Sequence, residues 1–146
     1  MAVPQPLDRS SIFLTLVQFP FVCFTLALLT DIIYWQTAYL MWSEFSAWLL
    51  LIGIIMGSLG LLVGVIAALA PRTDDALHID WAHIGTLLVV LILAFFNNLV
   101  HARDGWTSVV PWGLILSALT VLIIFAPPWL TTTLKANFGR QARRQL

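Results

Sequence analysis

Charge is what this chain has least of. Only 10% of its 146 residues are Asp, Glu, Lys or Arg, against about 25% in a soluble domain, so it cannot cover a water-facing surface. Seven basic residues balance seven acidic ones, which excludes the broad positive field that draws proteins to nucleic acid. Cysteine is nearly missing: the single Cys23 can form no intrachain disulfide and reads as a small buried hydrophobe. No Ser stands in a local signature with His and a carboxylate, and no glycine-rich phosphate loop follows a strand. This argues against an enzyme. The first residues, MAVPQPLDRSS, do not read as a signal peptide. Pro4 and Pro6 interrupt them, Asp8 precedes Arg9, and the apolar run that follows is too long for an h-region. That run is expected to be kept as a membrane span.

What is abundant is hydrocarbon: 60% of the residues are hydrophobic. The apolar runs predict an all-α integral membrane four-helix bundle in a single domain, 1–146. Its spans cover about residues 12–35, 45–70, 81–101 and 109–126, each near the roughly 20 residues that cross a bilayer. Pro20 lies inside the first span and predicts a kink near Gln18–Phe21. Residues 34–48, rich in Tyr and Trp, read as an interfacial connector forming an aromatic belt. Pro71 ends the second span, Pro127 and Pro128 end the fourth, and 127–146 is a polar, basic tail.

The second span carries Gly53, Gly57, Gly60 and Gly64. Steps of four, three and four put them on one helix face. In a membrane such a bare face lets a neighbouring backbone approach, so this helix is expected to be the post against which the others pack.

Polar groups at membrane depth are few, and each is a candidate. Gln18 predicts a hydrogen bond between helices, and Asp31, near a span end, a hydrated or helix-terminal group. Asn97 and Asn98 should face protein rather than lipid. His83 and His101 are eighteen residues apart, five full turns of an ideal helix, and should share a face. The loop with Asp74, Asp75, His78 and Asp80 follows no metal-ligand spacing, and Asp80 reads as the N-cap of the third span; no metal site is predicted. Haem b would need two axial ligands from facing helices, whereas all three His residues lie on or just before the third span. A quinone would need only an aromatic cleft with a few polar groups; His83, His101, Asn97 and Trp106 are the candidate cofactor residues.

With four spans both termini lie on one side. That side, with the second loop, holds Arg9, Arg72, Lys135, Arg140, Arg143 and Arg144; the other holds Arg103 alone. The positive-inside rule then places both termini and the tail in the cytoplasm. Five of the seven tryptophans, Trp35, Trp42, Trp48, Trp106 and Trp112, fall toward the outer face.

The pattern resembles a family of bacterial four-span membrane proteins, domain of unknown function 2231, over about 12–139. The resemblance rests on Gln18-Phe19-Pro20 followed by Asp31, on His83 and Arg103 flanking the third span, and on Trp129-Leu130 and Gly139 after the fourth. Family members have His where this chain has Gln18, and a further His near the C-terminal Gly, where this chain has Asn137-Phe138-Gly139-Arg140. If the family binds haem or metal through those imidazoles, the resemblance implies that this chain has lost the site. It also implies a bacterial inner-membrane location and a respiratory or dehydrogenase-linked setting. The leading expectation is a non-catalytic membrane subunit or anchor of a larger complex, with lipid and other subunits or a second copy as partners. The alternatives are a haem- or quinone-binding electron-transfer protein, and a small oligomeric carrier or channel around Asp31 and the Asn pair.

Overall fold

A computed structural model describes residues 9–69, 81–102 and 109–126, with side-chain surroundings from residue 15 onward. All the regular elements among them are helical: α1 (Arg9–Thr37), α2 (Leu40–Leu69), α3 (Trp81–His101) and α4 (Leu114–Ile124). A tight turn, Val109–Gly113, leads into α4 and contains one extended residue, Val110. Consecutive helices pack side by side and α4 closes back onto α1, giving a four-membered ring of helices.

Three helices are long and apolar enough to cross a membrane, and Val109–Ile124 is a shorter apolar piece. Only 28% of the most apolar stretch of each long helix is buried. The outward residues are themselves large and apolar, among them Val22, Leu29, Ile55, Leu62, Phe96 and Leu122. In water such a surface would aggregate; in a bilayer it is solvated by acyl chains, and only the polar groups need to turn inward. The protein is therefore an integral membrane protein.

The inward stripe of α1 runs through Pro20, Phe24, Ala27, Asp31 and Tyr34. This seven-residue repeat is the seam of helices that pack nearly parallel to one another. Gln18 lies about 200° round the helix from Pro20 and is exposed. The interhelical hydrogen bond expected of it is not formed, because the seam passes on the other side. Helix α1 continues unbroken through Pro20.

On α2 the buried residues are Ser43, Ser46, Leu50, Gly53, Gly57, Gly60 and Gly64. A Cβ added at Gly53 would stand 2.5 Å from a ring carbon of Phe24, one at Gly57 would stand 2.7 Å from Leu91, and one at Gly60 would stand 3.4 Å from the backbone oxygen of Leu16. The glycines thus face α1 and α3. Phe24, Ala27 and Leu50 meet Leu87, Val90, Leu91 and Ala94 of α3 in one apolar core.

The aromatic connector expected at 34–48 is far shorter. Only Ala38 and Tyr39 lie outside helix. Ala38 takes a left-handed conformation (φ 55°), and its N–H donates to Tyr34 O at 2.7 Å, ending α1 in one residue. Thr37 turns its hydroxyl back onto Ile33 O at 2.8 Å. The aromatic residues that looked like a loop are therefore helical, and Trp35, Tyr39 and Trp48 are exposed around the hairpin tip. The loop containing His78, the segment containing Arg103 and Trp106, and the tail 127–146 lie outside the described residues.

Candidate functional site

Antiparallel topology puts the C-terminal ends of α1 and α3 and the N-terminal ends of α2 and α4 at one end of the bundle. Asp31 is six residues from the end of α1, and His101 is the last residue of α3. The end of α1 turns Asp31 inward, in register with Phe24 and Ala27, and it is fully buried. His101 is placed by the seam of α3, where Leu87, Ala94 and His101 repeat every seven residues, and it is 8% exposed.

The two meet across the bundle. His101 Nε2 and Asp31 Oδ1 are 2.8 Å apart, with both side chains out of contact with solvent. The other carboxylate oxygen, Oδ2, accepts a hydrogen bond from the Ser117 hydroxyl of α4. Ser117 Oγ in turn accepts from Asn97 Nδ2 at 2.7 Å. His101 Nδ1 lies 2.9 Å from the backbone oxygen of Asn97. The bonds form a closed circuit: Asn97 amide, Ser117 hydroxyl, Asp31 carboxylate, His101 imidazole, and back to Asn97. Three helices supply its members. Asp31 is thus no hydrated end group: parallel odd-numbered helices bring His101 to its level, and the circuit replaces water as its partner.

The circuit fixes its own protons. A backbone carbonyl cannot donate, so Nδ1 of His101 carries a hydrogen. Ser117 donates to Oδ2, which leaves a single proton to be shared between Nε2 and Oδ1. The pair is neutral overall, as imidazolium with carboxylate or as imidazole with carboxylic acid. In a low-dielectric interior this neutrality is what makes burial of two ionisable groups tolerable.

One buried polar atom in the described residues is left without a partner, Asn97 Oδ1. It faces Gly113: a Cβ there would stand 3.5 Å from Oδ1, 3.5 Å from His101 Nδ1 and 3.0 Å from His101 Cε1. Gly113 has ordinary right-handed helical angles (φ −61°, ψ −46°) that any residue can adopt. What a side chain would disturb at this position is the imidazole.

A second, smaller polar joint lies between α1 and α2. Thr30 Oγ1 and Ser46 Oγ are 2.7 Å apart, and Thr30 Oγ1 is also within reach of the carbonyls of Leu26 (3.0 Å) and Ala27 (2.9 Å).

Of the four candidate cofactor residues, the structure joins His101 and Asn97. His83 is exposed. The buried stripe of α3 repeats in sevens, Ile84 with Leu91, Leu87 with Ala94 and His101, Val90 with Asn97; His83 falls in the register of Val90 and Asn97 but lies in the first turn of α3, at the opposite end of the helix from His101. Asn97 is fully buried, whereas Asn98 is half-buried. Both ring nitrogens of His101 are engaged by protein atoms, so this arrangement offers no lone pair to a haem iron. Among the described residues no three His, Cys, Asp or Glu gather as a metal site would need.

Sequence reasoning missed the partnership itself, and with it Ser117, Thr30, Ser46 and Gly113. A usable signal existed. An Asp and a His near the C-terminal ends of the first and third helices must come to the same end of an up-and-down bundle, and each needs a partner in a membrane.

Comparison with known proteins gives a family. The profile described as "Predicted membrane protein (DUF2231)" matches residues 11–143. No curated protein and no solved structure matches the chain.

Proposed function

The chain belongs to this DUF2231 family of membrane proteins, and from that premise we propose that it serves as a non-catalytic membrane subunit, a helical anchor that holds or stabilises a larger complex. One observation carries the reading. Buried polar side chains toward one end of the bundle bond from helix to helix, and the outer surface offers large apolar and aromatic side chains. Such a molecule presents a rigid, shape-bearing apolar exterior, which suits packing against other spans. The aromatic tip at Trp35, Tyr39, Met41 and Trp48, all exposed, is where a partner's spans or a headgroup layer would be met.

The distribution of Lys and Arg, six against one, supports a bacterial plasma-membrane orientation with α4 as a fourth span, both termini in the cytoplasm, and the Asp31–His101 end outward. A respiratory or dehydrogenase-linked complex is the setting we favour for it. The test is purification in mild detergent from native membranes, followed by mass spectrometry of what accompanies the chain. Stoichiometric companions that survive dilution are expected. A chain that elutes alone at every detergent concentration overturns the anchor reading.

A further inference from the structure

Holding helices together does not require ionisable groups. The Thr30–Ser46 joint does so with two hydroxyls, one residue along the chain from Asp31. An ion pair in a low-dielectric interior returns less than it costs unless every lone pair is matched, and ionisable residues inside a membrane mark proton or ion handling more often than cohesion. The Asp31–His101 pair therefore calls for a use beyond the joint it makes.

We propose that the Asp31–His101 pair is a proton-exchange site, loaded and unloaded through the imidazole at the end of the bundle where α3 stops. Three features carry this. The pair holds one shared proton between Nε2 and Oδ1, while a second sits on Nδ1, so the imidazole is already the carrier. His101 is the terminal residue of α3, so although its side chain, like that of Asp31, is out of contact with solvent, the end of the bundle is the nearer exit. The unpartnered Asn97 Oδ1 stands beside the ring, and Gly113 leaves the adjoining space without a Cβ. A rotated imidazole N–H thus has a second acceptor waiting on the side of Asn97.

The proton balance is simple. In the loaded state the pair carries two protons on three sites and no net charge. Transfer of the Nδ1 proton to water, or to a buffer base at the bundle end, leaves Nε2–H on Asp31 and one net negative charge. Uptake from hydronium restores neutrality. No electron moves and no other bond changes. Among the described residues, the titratable groups facing the pair are few. Helix α1 contributes Asp31 itself and the buried Tyr34. The only described titratable residue on α2 is the exposed Glu44, and α4 has none. No charged residue described on α2 or α4 faces the pair.

The experiment is nitrogen-15 NMR of the full chain, labelled at histidine and reconstituted in lipid, over a bulk pH series. His83 is exposed and serves as the internal reference. The ring nitrogens of His101 are expected to shift with pH, and Gly113→Ala to slow hydrogen exchange at Nδ1 while leaving the His83 resonances in place. Asp31→Asn should remove the Nε2 shift, with circular dichroism confirming a helical fold. If the His101 nitrogens stay fixed over the whole pH series in the native chain, the pair is a sealed joint and the proposal falls. That native-chain measurement stands even if a variant fails to fold. It is also independent of the anchor reading, because companions can co-purify with a chain whose His101 never exchanges.

Discussion

Helix α1 is fastened to its neighbours in two different ways. Against α2 it is held by closeness: glycines that admit Phe24 and the α1 backbone, and one hydroxyl pair. Against α3 and α4 it is held by a hydrogen-bonded polar circuit, with one bond that crosses the bundle diagonally. The first fastening tolerates loss of a single member, because Thr30 has carbonyls of its own helix to fall back on. The second does not, because Asp31 Oδ1, Asp31 Oδ2, His101 Nε2 and Asn97 Nδ2 each have a single partner. Close packing gives graded stability, whereas a closed polar circuit gives a helix pairing that is either right or expensive.

The contrast can be broken at four points, from the largest expected effect to the smallest. Asp31→Ala strands His101 Nε2 and the Ser117 hydroxyl in the interior. Breaking a buried pair in this way costs about 3–5 kcal/mol, and thermal unfolding in detergent should show a collapse of stability. Gly53→Leu drives a side chain into Phe24, which is 1% exposed and has nowhere to turn. Overpacking of this kind costs about 1–3 kcal/mol, read as a lower melting temperature with helix content retained. Ser46→Ala removes only one member of the hydroxyl pair, and a loss of about 0.6–1.7 kcal/mol is expected for an interhelical hydrogen bond in a membrane. A loss there as large as that of Asp31→Ala would erase the distinction between the two fastenings. Gly85→Ala is the control: nothing lies within 4 Å of its Cβ position, so the variant should gain about 0.4–1 kcal/mol from the helix backbone alone. A destabilised Gly85→Ala would mean that glycines on this chain matter for something other than contact.

The helices were legible in the sequence because hydropathy is local: an apolar run long enough to cross a bilayer has little else to become. The inward side of α2 was legible for the same reason, since glycine spacing along one helix needs no knowledge of its neighbours. The Asp31–His101 pair was not. Its members are 70 residues apart, and their meeting depends on which helices lie across the diagonal. His83 looked equivalent to His101, but it lies in the first turn of α3, at the end of the bundle away from Asp31. Residues 34–48 misled because Tyr, Trp, Gln, Ser and Glu favour both a membrane boundary and a connector. In the protein they are the adjoining ends of two helices joined through Ala38 and Tyr39.

That two-residue reversal has a consequence for height. Asp31 is level with His101, where α3 ends, yet α1 continues for six more residues before turning. At 1.5 Å per residue the hairpin stands about 9 Å taller than its neighbour. Trp35 and Tyr39, exposed on that turret, favour the headgroup layer, so the thickness of the surrounding lipid sets how deep the Asp31–His101 pair rides. A thicker bilayer draws the pair further beneath the surface, and a thinner one brings it toward water.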